Sequence, residues 1–138
     1  MSDAQRTNAP EADAYARGKP LSEACNPGLE EVLAGRYDAL LPGMSRSMVE
    51  VPWGHFYNRG VVEDKTRFLA TIAGLTALGG QTLPQLKVHV GSARRAGASR
   101  EEIAEIIFQM AMYGGFPAAI NALNAAMEVF EAEEGESA

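Results

Sequence analysis

The chain has 138 residues, of which 46% are apolar and 22% charged, and this suits one globular domain with a buried core. Its 12 basic and 18 acidic residues give a formal charge of −6, which argues against nucleic acid as a partner because nucleic acid needs a clustered basic face. The sequence has no apolar run long enough to span a bilayer, and Met1 to Pro20 lack an apolar signal segment. We therefore expect a soluble, cytoplasmic protein with no membrane partner.

Helical spacing of apolar residues runs through most of the chain, and no pattern of period two indicates a strand. The pattern predicts an all-α fold of about six helices, arranged as stacked αα-hairpins. The longer predicted helices span residues 27–41, 63–78, 82–96, 99–113 and 117–133, and shorter ones are expected at 11–18 and 43–50. We expect residues 1–20 to be a mobile N-terminal segment and residues 21–135 to form a single domain.

Capping residues, glycines and prolines set the expected helix ends. Gly18 and Pro20 should end the first short helix, and Asn26-Pro27 fits an N-cap followed by proline at the first helical position. The helix at 43–50 should end before Pro52, because a residue that precedes proline avoids the helical region. In the second half, Ser99 and Glu102 form a capping box.

Cysteine and histidine are too sparse for common redox or metal sites. Cys25 is the one cysteine, so no intrachain disulfide or Cys-x-x-Cys pair can form, and we assign it no role. The two histidines, His55 and His89, stand 34 residues apart in the sequence, which is not the local ligand spacing of a zinc site. The sequence therefore gives no reason to expect a metal.

Several motifs occur in a fixed order between about residues 50 and 130. They are Trp53-Gly54, Lys65-x-Arg67, Leu86-x-x-His89, Gly97-x-Ser99-x-Glu101-Glu102-Ile103-x-Glu105 and Tyr113-x-Gly115-x-Pro117-Ala118. Together they resemble the carboxymuconolactone decarboxylase family, which shares its fold with the alkylhydroperoxidase D-like proteins. The resemblance implies a homo-oligomer, either a trimer or a hexamer, with its pocket near a subunit interface and with no cofactor.

The resemblance also separates this chain from the peroxide-reducing relatives. Their active helix carries Cys-x-x-Cys-x-x-x-His, and His89 matches that histidine. The two cysteine positions then fall at Thr82 and Gln85. Since the peroxidase nucleophile must be a thiolate, a dithiol mechanism is excluded.

The reaction implied by the resemblance is loss of CO₂ from a small carboxylated lactone, 4-carboxymuconolactone, in the catabolism of aromatic compounds. The electron sink lies in the substrate, so the protein must hold an anion, stabilise a developing oxyanion and deliver a proton. His89 is the candidate general acid/base, because the pKa of histidine lies near neutral pH. Periodicity alone leaves a second interpretation open, a core histidine satisfied by a backbone carbonyl.

Three further side chains are candidates for binding substrate in the second half of the chain. Arg67 would pair with a substrate carboxylate, or else form a structural ion pair with an acid such as Glu63. Gln85, one turn before His89, would orient a substrate carbonyl or the imidazole, or else belong to a solvated helix start. Tyr113 would donate to an oxyanion, or else pack in the core. We expect Lys87, Arg94 and Arg95 to form a solvated face.

Trp53 and His55 are the candidates in the first half, where an aromatic-rich stretch would wall the pocket. His55 would act as a second acid/base, or else these residues serve surface exposure and oligomer packing, which is the interpretation we favour. In the family an acidic residue often follows Trp-Gly, whereas this chain has His55 there. That departure keeps two alternatives to a decarboxylase open: another proton-transfer enzyme and a non-catalytic binding protein on the same scaffold.

Overall fold

The computed structural model describes residues 13–137, which form two compact units. The first unit contains the described residues up to Glu63 and the second begins at Asp64. The first unit holds α1 (Ala14–Cys25), α2 (Leu29–Tyr37), α3 (Met44–Val49) and a π-helix (Glu50–Tyr57). The second holds α4 (Asp64–Leu78), a 3₁₀ turn (Gly80–Thr82), α5 (Leu83–Arg95), α6 (Arg100–Gln109), α7 (Ala111–Gly114) and α8 (Phe116–Ser137).

All regular structure between residues 13 and 137 is helical, which confirms the predicted all-α class. None of the helices in this part of the chain combines the length and the apolar character that crossing a bilayer requires. The mobile segment expected over residues 1–20 falls largely outside the described residues. Division into two packing units does not decide between one domain and two, so the single domain over 21–135 stays a prediction.

Helix α1 does not end at Gly18 and Pro20, so that prediction is wrong. Asp13 caps the helix by accepting a hydrogen bond from the Ala16 amide at 2.7 Å, and the helix continues to Cys25. An interior proline costs a helix about 3 kcal/mol, because a backbone donor is lost and the ring meets a carbonyl one turn back. Burial of Leu21 and Cys25 beyond the proline offsets that cost.

The second helix also differs from its prediction: it is shorter, because it begins after Gly28 and ends at Tyr37 rather than at residue 41. Gly28 takes the N-cap position that Asn26 was expected to hold, with a positive φ of 79°. Beyond Tyr37 the carboxylate of Asp38 accepts hydrogen bonds from the Ser45 amide (3.0 Å) and hydroxyl (2.6 Å). These bonds fold the chain back so that α3 can begin.

Pro52 does not end a helix either, because α3 passes directly into the π-helix that contains it. A π turn is wider than an α turn, which moves the preceding carbonyls away from the proline ring. The π-helix packs on α1 with backbone touching backbone: a Cβ on Gly54 would lie 2.1 Å from the Ala14 carbonyl oxygen. A Cβ on Gly18 would lie 2.6 Å from the Gly54 amide nitrogen.

The second unit follows the predicted helices, except that the helix predicted over 99–113 is divided at Met110 into α6 and α7. Its helix α5 packs on α4 and α8, and α6 packs on α8 and α4. The capping box is present, with the Ser99 hydroxyl accepting from the Glu102 amide at 3.0 Å. The core is built from large apolar side chains on α4 to α6 and from four alanines and one phenylalanine on α8: Phe68, Ile72, Leu86, Val90, Ile103, Ile107, Ala119, Ala122, Ala125, Ala126 and Phe130.

Candidate functional site

His89 lies in the middle of α5, between the buried residues Leu86 and Val90. Its side chain is half-buried, and Nδ1 is shielded from solvent. The imidazole faces the ring of Phe68 on α4, with the ring centroids 6.2 Å apart and the planes tilted by 36°. Phe68 is itself almost fully buried, so it fixes one wall of the histidine's surroundings.

Burial lowers the pKa of His89 below its usual value of 6.5, because the charged imidazolium loses hydration that apolar neighbours do not replace. The neutral imidazole is therefore the dominant form at pH 7. A histidine held neutral near the surface can accept a proton, and its imidazolium is a stronger acid than that of an exposed histidine.

Arg67 and Gln85 lie on the two helices that carry this ring pair. Arg67 directly precedes Phe68 on α4 and is half-buried, and its carbonyl accepts a hydrogen bond from the Thr71 hydroxyl at 3.0 Å. Gln85 lies one turn before His89 on α5, and its side chain is exposed. Because α4 and α5 pack together, a ligand bound at His89 would have Gln85 on the same helix and Arg67 on the adjacent one.

Thr82, at the position of the first peroxidase cysteine, has a structural contact instead. Its hydroxyl lies 2.5 Å from the Leu75 carbonyl oxygen and 2.9 Å from the Gly79 carbonyl oxygen. Both acceptors belong to the end of α4 and the turn after it, where carbonyls lack intrahelical partners. Thr82 therefore ties α4 to the start of α5.

Tyr113 lies on α7 and is 74% exposed, so the alternative that it packs in the core is wrong. The physical reason is Gly114: a Cβ there would lie 2.9 Å from both Cα and the carbonyl oxygen of Ala77 on α4. The glycine backbone, rather than the tyrosine ring, makes the contact with the core. Tyr113 points away and is grouped with other exposed apolar side chains.

Trp53 and His55 belong to the π-helix of the first unit. Trp53 is buried, and its ring stacks on that of Tyr57 with centroids 4.7 Å apart, so surface exposure is wrong for this residue. His55 is exposed, as the alternative interpretation had it. The π-helix thus turns its tryptophan inward and presents its histidine to solvent.

Three glutamates of the acidic end of α8 form ion pairs, although Glu128 and Glu134 stay exposed to solvent. Arg94 pairs with Glu133 at 3.0 Å and donates to the Ala98 carbonyl at 2.8 Å, which corrects the expectation of a solvated Arg94. Lys87 pairs with Glu128, and Arg100 with Glu134. Lys87, Arg94 and Arg100 therefore attach α8 to α5 and α6.

Two grooves run along α8, and neither is lined by His89. The larger, of about 360 Å³, lies between α6 and α8 and is lined by Arg100, Glu101, Ala104, Met127, Phe130, Glu131 and Glu134. The other, of about 290 Å³, lies between α5 and α8 and is lined by Gly91, Arg94, Arg95, Val129, Ala132, Glu133 and Glu136. Within residues 13–137, no group of three or more His, Cys, Asp and Glu side chains is arranged to hold a metal ion.

Sequence reasoning singled out His89 as a candidate but did not indicate that Phe68 lies against it. The two residues are 21 positions apart on different helices, and the sequence carries no local signal that joins them. Phe68 was visible only as one apolar residue in a helical pattern.

Comparison with known proteins supports the motif resemblance. The sequence profile described as the carboxymuconolactone decarboxylase family matches residues 42–128. An uncharacterized 15.0 kDa protein of Paracoccus denitrificans, from the nqo9-nqo10 intergenic region, is 40% identical over 119 residues, which cover 86% of this chain and 89% of that protein. A 4-carboxymuconolactone decarboxylase of Acinetobacter baylyi is 35% identical over 79 residues, which cover 57% of this chain and 58% of that enzyme.

Proposed function

The chain belongs to the carboxymuconolactone decarboxylase family, and on that premise we propose that it is a cofactor-free carboxy-lyase acting on a small carboxylated lactone like 4-carboxymuconolactone. One observation carries the proposal. His89, the histidine of the family motif, is half-buried on α5 against Phe68, where desolvation lowers its pKa. A cytoplasmic location is part of the same proposal.

The chemistry needs few groups from the protein. The bond between the ring carbon and the carboxylate breaks, CO₂ leaves, and the electron pair passes through the conjugated double bond to the lactone carbonyl oxygen. A proton then returns to carbon. We assign this proton transfer to His89. Its neutral imidazole would take a proton from solvent and pass it to the carbon, and burial makes the imidazolium formed in between a stronger acid.

The remaining candidates are assigned to binding. Arg67 would pair with a substrate carboxylate, since a guanidinium matches a carboxylate through two parallel hydrogen bonds. Gln85, exposed one turn before His89, would donate to the lactone carbonyl oxygen. Trp53, His55 and Tyr113 complete the proposed binding set, the last as an exposed donor that a subunit boundary would enclose.

A second candidate function is a different proton-transfer reaction on the same scaffold. It is favoured by the difference in coverage between the two relatives: the match to the uncharacterized protein covers 86% of the chain, whereas the match to the decarboxylase covers 57%. His55 after Trp53-Gly54, where an acid is common in the family, points the same way.

Homo-oligomeric assembly, as a trimer or hexamer, is the partner we propose beside the small-molecule substrate. The support in the structure is the number of large apolar side chains that both units leave exposed, among them Phe108 and Phe116, whose rings are in contact, since monomeric proteins seldom expose such side chains in contiguous groups.

The test is decarboxylation of freshly generated 4-carboxymuconolactone, followed optically, with wild type and His89→Gln. We expect turnover in wild type and a loss of 10²-fold to 10⁴-fold in the variant, the usual contribution of a general acid or base. Lys87→Gln is the matched control, because Lys87 is exposed on the same helix and pairs only at the surface with Glu128.

Each outcome separates the alternatives. Turnover that survives in His89→Gln would retain the substrate and remove the catalytic role of His89. Absence of turnover in wild type would reject the lactone and leave the second candidate function. A wild type that binds the lactone in calorimetry without turning it over would favour a non-catalytic binding protein.

A further inference from the structure

The groove between α6 and α8 has an apolar floor and charged walls. Ala104, Met127 and Phe130 supply the floor, and the remaining side chains that line the groove carry three carboxylates and one guanidinium. Its volume of about 360 Å³ lies in the range of pockets that bind small molecules. A ligand complementary to this groove therefore combines an apolar body with positive charge.

One part of the groove already contains a cation of this kind, supplied by the chain itself. The guanidinium of Arg100 lies 5.5 Å from the centroid of the Phe130 ring and pairs with Glu134. Glu134 follows Phe130 by four residues, so the ring and the carboxylate are neighbours on one face of α8. The arrangement joins an alkyl stem on apolar surface to a cationic head group on a carboxylate.

The same pairing of an apolar side chain with a carboxylate recurs one helical turn earlier on α8, but without the cation. Met127 and Glu131 are again four residues apart, and Met127 is 50% exposed. On the other wall, the residue one turn after Arg100 on α6 is Ala104, whose side chain is too short to reach a carboxylate on α8. Between residues 13 and 137, neither Glu131 nor Glu101 on the α6 wall has an ion-pair partner.

We infer that this groove binds an aliphatic polyamine, with the alkyl chain of the ligand on Met127 and Ala104 and its ammonium groups at Glu131 and Glu101. Such a ligand repeats what Arg100 supplies one turn away, a chain of methylenes that ends in a cation. Because Arg100 occupies the adjacent turn, the remaining length is about one helical turn of 5.4 Å, which suits a short alkyl chain better than a peptide.

The inference is separate from the proposed chemistry. His89 does not line this groove, and three carboxylates there would repel an anionic lactone. The site therefore adds a second class of ligand, a cationic one, to the anionic substrate proposed for His89.

The experiment is isothermal titration calorimetry of the full chain with spermidine and with 1,4-diaminobutane, using wild type, Glu131→Gln and Ala104→Arg. We expect wild type to bind with a Kd below about 1 mM. Glu131→Gln keeps the size of the side chain and should weaken binding about tenfold, the usual loss for one hydrogen bond to a charged group. Ala104→Arg supplies a second cation from α6, which should fill the groove and abolish binding.

Glu105→Gln is the control variant, because Glu105 is exposed on α6 outside the groove and its substitution changes the net charge as much as either test variant does. Butylamine is the control ligand. Its single ammonium leaves one of the two carboxylates without a partner, so it should bind more weakly than 1,4-diaminobutane.

Methyl NMR locates the bound amine. Spermidine should shift the methyl resonance of Met127 and leave the ring resonances of His89 in place. Circular dichroism melts establish that the variants fold, and Glu131→Gln decides the question if Ala104→Arg does not fold.

Four results would overturn the polyamine site. They are a Kd above about 1 mM for both amines in wild type, equal affinities in Glu131→Gln and Glu105→Gln, full binding in a folded Ala104→Arg, and a shift at His89 with none at Met127. Equal affinities would mean that the amine follows only the general negative charge of the chain. Decarboxylase activity enters none of these results, so the two proposals fail independently.

Discussion

His89 shows how one residue can link burial, protonation and stability. Its pKa is lowered by desolvation in the folded chain and is near 6.5 in the unfolded chain. Above pH 6.5 both states are neutral there, so the residue adds no pH dependence. As the pH falls below 6.5 the unfolded chain binds the proton first, and the folded state therefore loses stability until the lower, folded pKa is reached.

We predict that wild type loses more stability than His89→Gln between pH 7.5 and pH 5.5. Urea denaturation midpoints at the two pH values measure this difference, and His55 cancels because both proteins contain it. Equal losses would mean that the imidazole is as well solvated in the folded chain as in the unfolded one.

Phe68 is the neighbour whose replacement should change the pKa of His89 most directly. Phe68→Leu should remove ring contact and admit water, which moves the pKa of His89 back towards 6.5. NMR titration of the imidazole measures that shift. Phe130→Leu is the matched control, since Phe130 is also buried but its ring lies under Arg100 on another part of the unit. A pKa that moves equally in both variants would assign the effect to general loosening.

At the scale of elements, the contact between α1 and the π-helix is the tightest in the first unit. Gly54→Ala would bring a Cβ to 2.1 Å from the Ala14 carbonyl oxygen, and the two backbones must separate. We predict a loss of about 3 kcal/mol in the free energy of unfolding. Gly35→Ala in α2 is the control: nothing lies within 4 Å of its Cβ, and alanine should stabilise that helix by about 0.5–1 kcal/mol. Calorimetric or urea unfolding of both variants decides, and a Gly54→Ala protein as stable as wild type would mean that the contact is loose.

The same elements show where the sequence is sufficient and where it is not. Helices α4, α5 and α8 and the start of α6 could be predicted because their ends have local causes, such as the Ser99–Glu102 capping box, whereas the break at Met110 between α6 and α7 was not predicted. The ends expected at Pro20 and Pro52 were wrong because proline's cost is local, whereas the burial and the wide π turn that accommodate it depend on distant residues.

In the candidate site, too, local motifs could be read from the sequence, whereas contacts between helices could not. His89 could be found from its place in a motif, but its contact with Phe68 depends on how α4 packs against α5. The exposure of Tyr113 could not be predicted, because an apolar helical pattern looks the same whether its face meets the core or another molecule.

At the scale of the whole molecule, charge and apolar surface are segregated along α8. Its first half carries no charge and exposes Phe116 and Ile120, whereas its second half carries Glu128, Glu131, Glu133, Glu134 and Glu136. The acidic groups of α8 therefore all lie on the half of the helix that forms ion pairs with α5 and α6.

The ion-paired end of α8 also bears on how the protein can be trimmed. A chain cut after Met127 would lose Phe130 from the core. The cut would remove the glutamates that pair with Lys87, Arg94 and Arg100. It would also lose five acidic residues, which takes the formal charge from −6 to −1. A nearly neutral chain with exposed apolar side chains is prone to precipitate. The acidic end of α8 therefore has two effects: its ion pairs hold α8 against α5 and α6, and its charge opposes aggregation.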